Sequence, residues 1–171
     1  PLAHLALVLV GEGWVHDDGG QRSDAGPALS AAGLEPVVLA PKEGIALING
    51  TQIMTAIGLK VVHRARGLNL VADIACAMTV EALGGSERPF AKRVQDLRPH
   101  RGQRQTAANL RSLLRNSKVM GDHVDCDKVQ DAYSMRCAPQ VHGAAKDAWR
   151  FAEQVLVTEA SSVTDNPLVF P

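Results

Sequence analysis

Aromatic side chains are scarce, only 4% of the 171 residues, while Ala, Leu and Val are abundant. Strands favour aromatic and β-branched residues, so this balance argues against a sheet-rich fold and for packed helices. Charge of one sign is also missing, because 18 Lys and Arg offset 18 Asp and Glu. No net field is left to attract a polyanion, which disfavours nucleic acid or an anionic membrane as a partner. The basic run RPHRGQRQ, residues 98–105, then reads as a solvated or subunit-contact segment.

Cysteine is sparse and shows no pairing pattern: Cys76, Cys126 and Cys137 are odd in number and form no C-x-x-C. They fit a reducing compartment, with the cytoplasm expected, and no disulfide framework. His4, His16, His63, His100 and His123 lack ligand spacing, so no metal site is expected. Paired Glu-x-x-His motifs are absent, which removes a four-helix metal binder from consideration. The opening PLAHLALVLVGEG holds only about ten apolar residues, with no basic n-region and no small-residue cleavage site. Neither a membrane span nor a signal peptide fits. The same stretch has no Met and begins inside an apolar helix without a capping residue, so residues preceding Pro1 are expected.

The length predicts one domain with a sizeable core. Leu2 to Leu9 is apolar on nearly every face, as in a helix buried in a bundle. WVHDDGGQRSDAGP reads as a short hairpin or exposed loop, PALSAAGLEP as a short helix closed by Gly33, and PVVLAP as a brief β-branched run. From Glu43 to Gly84-Gly85 the chain carries no proline, which predicts one long helix or two nearly continuous ones. Its core stripe is expected at Ile57, Val61, Ala65, Leu68, Ala72 and Ala75. A further helix is expected at RQTAANLRSLLRNSKV, burying Leu110, Leu113 and Leu114, and an irregular segment at DHVDCDKVQDAYS. The last helix starts near Pro139, with Val141, Ala144, Ala148, Phe151, Val155 and Leu156 on its apolar face and Lys146, Asp147, Arg150 and Glu153 largely opposite. The fold class is therefore mainly α: long antiparallel helices with a small β element near residues 14–40.

Chemistry concentrates in QDAYSMRCAPQVHG, residues 130–143. Gln130, Tyr133 and Arg136 recur every third residue, and in a helical turn such steps keep side chains within a sector roughly 120° wide. Arg136 suits a carboxylate held bidentately, Tyr133 can donate or exchange a proton, and Gln130 can donate and accept. A polar loop that caps a helix accounts for the same residues.

These residues, with PLAHLALVLVGEG, AGLEPVVLAPKEGIALINGTQ, LRPHRGQ and SSVTDNPLVF, occur in an order and spacing that resembles the aromatic amino-acid ammonia-lyases. The form YSMRCAPQVHG, with Cys137 and His142, is similar to the bacterial histidine-specific members. The resemblance covers nearly the whole chain. It implies elimination of ammonia from L-histidine to give urocanate, by a homo-oligomer, expected to be a tetramer, whose sites are shared between subunits. The family's electrophile is a methylidene-imidazolone formed from an internal Ala-Ser-Gly. No Ala-Ser-Gly occurs here, so residues 1–171 are expected to be the central part of a single lyase domain, lacking the electrophile-bearing region and the C-terminal helical region.

By matched motif the resemblance places Asn49 of INGTQ beside the electrophile and the substrate amino group, Tyr133 at the departing proton or ammonia, Arg136 on the carboxylate and Gln130 in the surrounding hydrogen-bond network. Asn166 of TDNP is a weaker candidate. A phenol with a pKa of about 10 is a poor base at neutral pH, so the Tyr133 role calls for a neighbouring positive charge or a helix N-terminus. Asn49 fits an N-cap equally, Asn166 a turn, and His142 a hydrogen-bonded structural histidine. The alternative for the whole chain is a non-catalytic helical interaction module or degenerate fragment that kept the scaffold and lost the chemistry.

Overall fold

The computed structural model describes residues 2–122, 127–164, 167, 168 and 170. Cys126, His123 and Asn166 lie outside the described residues. The chain divides into two compact units, Pro1–Gly58 with Val157–Pro171, and Leu59–Leu156.

In the first unit, α1 (Leu2–Leu9) leads to an antiparallel hairpin of β1 (Trp14–His16) and β2 (Arg22–Asp24), paired Trp14 with Asp24 and His16 with Arg22. DDGG makes its turn, where Asp17 Oδ1 accepts the Gln21 N–H at 2.8 Å and the Asp17 carbonyl accepts the Gly20 N–H at 2.9 Å. α2 (Ala25–Ala31) follows at once. It stops because Gly33 takes φ +71°, letting the Leu34 N–H reach the Leu29 carbonyl and the Gly33 N–H the Ser30 carbonyl. PVVLAP is not a strand: among the described residues this sheet has two strands, and Val38 is 92% exposed. Its prolines deny it ladder donors and no open edge is paired to it. α3 (Glu43–Ile48) and α4 (Gln52–Ala82) are separated by Asn49, Gly50 and Thr51, so the proline-free run is two helices.

Among the described residues, every regular element of the second unit is helical. The body of α4 packs with a 3-10 turn at Arg88–Phe90, α5 (Lys92–Asp96), α6 (Arg101–Leu113), α7 (Lys118–Asp122), α8 (Tyr133–Arg136) and the body of α9 (Ala138–Ala160). α4 and α9 run antiparallel, since the Trp149 indole donates to the Val62 carbonyl at 2.7 Å while Lys146 and His142 reach Asp73 further along α4. α6 crosses α9 at two glycines, Gly102 and Gly143, whose backbones approach too closely for a Cβ on either. The core joins Ala77 and Val80 of α4, Phe90, Ala107, Leu110, Leu114, Met135 and Ala138. Burying Phe90 and Leu110 contributes roughly 1.5–3 kcal/mol each. No helix among the described residues is long and apolar enough to cross a membrane.

The buried faces differ from those expected. Ile57, Val61 and Leu68 of the expected stripe are 58–69% exposed, and the buried residues of α4 are Thr55, Val62, Asp73, Ala77 and Val80. In α9, Val141, Phe151 and Val155 are exposed, whereas Lys146 is buried. Leu113 is 44% exposed beside its buried neighbours Leu110 and Leu114. These helices are apolar on more than one side, so hydropathy does not rank the sides, and charge neutralisation lets a lysine choose the inner one. Leu5, Leu7 and Leu9 of α1 are exposed, an apolar face without a partner among the described residues. In the basic run, Arg98, His100, Arg101 and Arg104 are solvated, while Gly102 and Gln103 are buried.

Candidate functional site

The QDAYSMR turn is built from its buried acid outward. The end of α4 is closed by Gly84 at φ +55°, whose N–H meets the Glu81 carbonyl as that of Gly85 meets the Val80 carbonyl. This brings the chain against Asp131: a Cβ at Gly85 would lie 3.1 Å from the Val80 carbonyl oxygen and 3.5 Å from Asp131 Oδ2. The Ser86 N–H donates to Asp131 Oδ2 at 2.7 Å, and Lys128 Nζ lies 3.2 Å from Oδ1. With its side chain so held, Asp131 is free to present its carbonyl, which accepts Arg136 Nε–H at 2.9 Å.

Ala132, with φ −54° and ψ 142°, starts α8 by accepting the Met135 and Arg136 N–H groups. Only Tyr133 and Arg136 therefore share a helical turn, and Gln130 lies in the extended segment before it. The Arg136 guanidinium carbon sits 5.3 Å from the Tyr133 ring centroid, within cation–π range. Tyr133 itself is 70% exposed. Gln130 and Arg136 line one cleft of about 820 Å³ together with Arg88, Arg111, Arg115 and Lys128. Tyr133 does not line it. Cations predominate there over Glu87 and Asp131, so the cleft suits an anion such as a carboxylate.

Asn49 belongs to the first unit. It ends α3 rather than starting a helix: its N–H reaches the Ile45 carbonyl at 2.9 Å, and its φ of −116° and ψ of 86° are those of a C-cap. The N-cap reading of Asn49 is thereby overturned, and its amide is exposed. Gln52 folds back over Gly50 to donate to the Ala46 carbonyl at 3.1 Å. Asn166 lies outside the described residues.

A second cluster escaped the sequence reading. Asp73, fully buried on α4, accepts from Lys146 Nζ at 2.6 and 2.7 Å, from Asn109 Nδ2 at 2.6 Å and from His142 Nδ1 at 2.9 Å. Lys146 Nζ also donates to Thr106 Oγ1 at 2.6 Å. A carboxylate only accepts, so it is the Nδ1–H of His142 that faces Asp73. The signal for this cluster was a lone carboxylate within the apolar run LVADIACAMTV. Nearby, burial foremost, then the Asp73 charge and Cys137, push the Cys76 thiol up from its ordinary pKa, so it stays protonated at neutral pH. Among the described residues no group of three His, Cys, Asp or Glu is placed to hold a metal.

The aromatic amino acid lyase family model matches residues 1–171. The chain is 57% identical over 170 residues to a histidine ammonia-lyase of Sorangium cellulosum, covering 99% of this chain and 33% of that protein. The crystal structure of histidine ammonia-lyase from Trypanosoma cruzi superposes with a TM-score of 0.85 at 44% identity, covering 99% of this chain and 31% of that one. Tyrosine aminomutase from Streptomyces globisporus gives 0.87 at 41% identity, covering 99% and 36%. The chain thus spans about a third of the length of the curated relatives it matches. A match along every residue, joined to the same helical fold, means that this chain belongs to the aromatic amino acid lyases.

Proposed function

We propose that this chain is the central part of a single lyase domain in an enzyme that eliminates ammonia from L-histidine, leaving urocanate. The observation that carries this reading is the shared cleft of Gln130 and Arg136, whose cationic lining suits the substrate carboxylate. The relatives named histidine ammonia-lyase support the choice of amino acid over phenylalanine or tyrosine.

In this reading Arg136 orients the carboxylate through its planar fork, which a lysine does not provide. Its Nε–H is donated to the Asp131 carbonyl, so the carboxylate would be held by the terminal nitrogens. Tyr133 handles the proton at the reacting carbon, with the Arg136 guanidinium packed over its ring. Gln130 supports the hydrogen-bond network, Asn49 holds the amino group, and Asn166 is a weaker contributor. A methylidene-imidazolone would supply the electrophile toward the substrate amino group, with Asn49 and Tyr133 as the residues of this chain beside it. This chain holds no Ala-Ser-Gly from which to form it, but the exposed amide of Asn49 and phenol of Tyr133 are neutral donors compatible with such a ring. The assembly is a homo-oligomer, a tetramer with sites shared between chains, working in the cytoplasm. Exposed apolar residues on α1, α4 and α9 support association.

The test is the rise of urocanate absorbance when the complete protein meets L-histidine. Absence of turnover sinks the reading, and preference for phenylalanine or tyrosine moves it to a sister enzyme. The 171-residue chain alone should yield no urocanate.

A further inference from the structure

The buried carboxylate Asp73 is more elaborately satisfied than a stability role requires. A buried ion pair is a poor source of stability, because desolvating both charges offsets most of their attraction. What this one does supply is geometry. His142 and Lys146 lie four residues apart, on one face of α9, and both are hydrogen-bonded to Asp73. Two attachments to one carboxylate set both the rotation of α9 and its position along its axis. α6 closes the arrangement: Asn109 donates to the same carboxylate, Thr106 accepts from Lys146, and the Gly102–Gly143 approach allows that short reach.

α9 is joined to α8 by Cys137 alone. The Cys137 N–H is donated to the Tyr133 carbonyl at 2.8 Å, and the Cys137 carbonyl accepts the Gln140 and Val141 N–H groups at 3.0 Å. Any shift of the first turns of α9 is therefore passed to Tyr133 and Arg136. At its other end the turn is tied by Asp131 to Ser86, just beyond α4. The turn is suspended between two carboxylate anchors, both referred to α4.

We propose that Asp73 is a positioning residue, which through His142 and Lys146 holds the Tyr133–Arg136 turn in the register the reaction needs. The proposal rests on the reading of Tyr133 and Arg136 given above. It is tested in the complete protein by replacing the pair with apolar residues of similar size, Asp73→Leu with Lys146→Met. Misplacing catalytic groups by a fraction of an ångström lowers turnover steeply, so kcat should fall about tenfold or more while KM and Tm change little. Amide exchange across residues 135–141 should quicken about tenfold, while that of Leu110 and Leu114 stays slow. Parental kcat and exchange in a folded double variant would overturn the proposal.

Should that variant fail to fold, His142 decides. His142→Asn keeps a donor for Asp73 and should stay within about twofold of the parent in kcat, whereas His142→Ala should lose about tenfold. Equal turnover in the two would equally overturn it. If the parent does not act on histidine, the functional reading falls, and exchange across residues 135–141 still decides the positioning claim.

Discussion

Arg136 lies against Tyr133, its guanidinium carbon 5.3 Å from the ring centroid, while its Nε is spent on the Asp131 carbonyl. One residue thus steadies the phenol, closes its own turn and keeps a fork for the cleft. In the complete enzyme, Arg136→Lys keeps the charge and loses the fork, so KM should rise and kcat fall with Tm barely moved. Tyr133→Phe removes one exposed hydroxyl and should depress kcat far more than KM. A purely structural role predicts the reverse, with lowered Tm in both variants and normal turnover per folded molecule.

Removing one member of the buried pair leaves the other without a counter-charge. Asp73→Asn and Lys146→Met should each destabilise by about 3–5 kcal/mol. Urea unfolding should show this as a lower midpoint with an unchanged slope. Midpoints equal to the parent in both variants would mean that the two charges are not desolvated.

Two glycines within helices should respond with opposite signs to the same substitution. A Cβ on Gly143 would fall 2.8 Å from the Gly102 carbonyl carbon, and backbone cannot yield as a side-chain tip does. Gly143→Ala should therefore cost about 3 kcal/mol or prevent folding. Gly67 has nothing within 4 Å of the same position, so Gly67→Ala should stabilise by about 1 kcal/mol through helix propensity. Thermal melts of the two variants check both signs.

The raised pKa of Cys76 makes a prediction in alkali. A group whose folded pKa exceeds its unfolded one contributes stability that is complete below the unfolded value, 9.0 for a thiol, and is lost as pH rises through the folded value. Stability should decline on the alkaline side of about pH 9, and Cys76→Ala should flatten that limb. Cys76 should also be alkylated slowly at pH 8, because the thiolate is the nucleophile. Alkylation as fast as that of a free thiol would contradict its burial.

Local elements were legible because their causes are local. DDGG between WVH and QRSD is a turn whatever lies around it, Gly33 and Gly84 stop helices by their own φ, and Pro139 sits in the first turn of α9, where its missing N–H costs no helical bond. The candidate turn was legible in part, through residue chemistry. Gln130 lies in the irregular segment expected there, and because Ala132 starts α8 only after it, Tyr133 and Arg136 alone share the helical turn.

Composition and punctuation in the sequence were enough to determine a mainly helical chain, its breaks, and the side chains able to handle a carboxylate and a proton. The tertiary structure decided which faces of α4 and α9 turn inward, and there it did so against hydropathy, whereas Leu110 and Leu114 of α6 turn inward as their pattern predicts. Lys146 is buried because Asp73 is within hydrogen-bond reach, while Val61 and Phe151 stay outside. A charge is costly to bury only when it is alone, and whether it is alone depends on a residue 73 positions away, which no periodicity along one helix encodes.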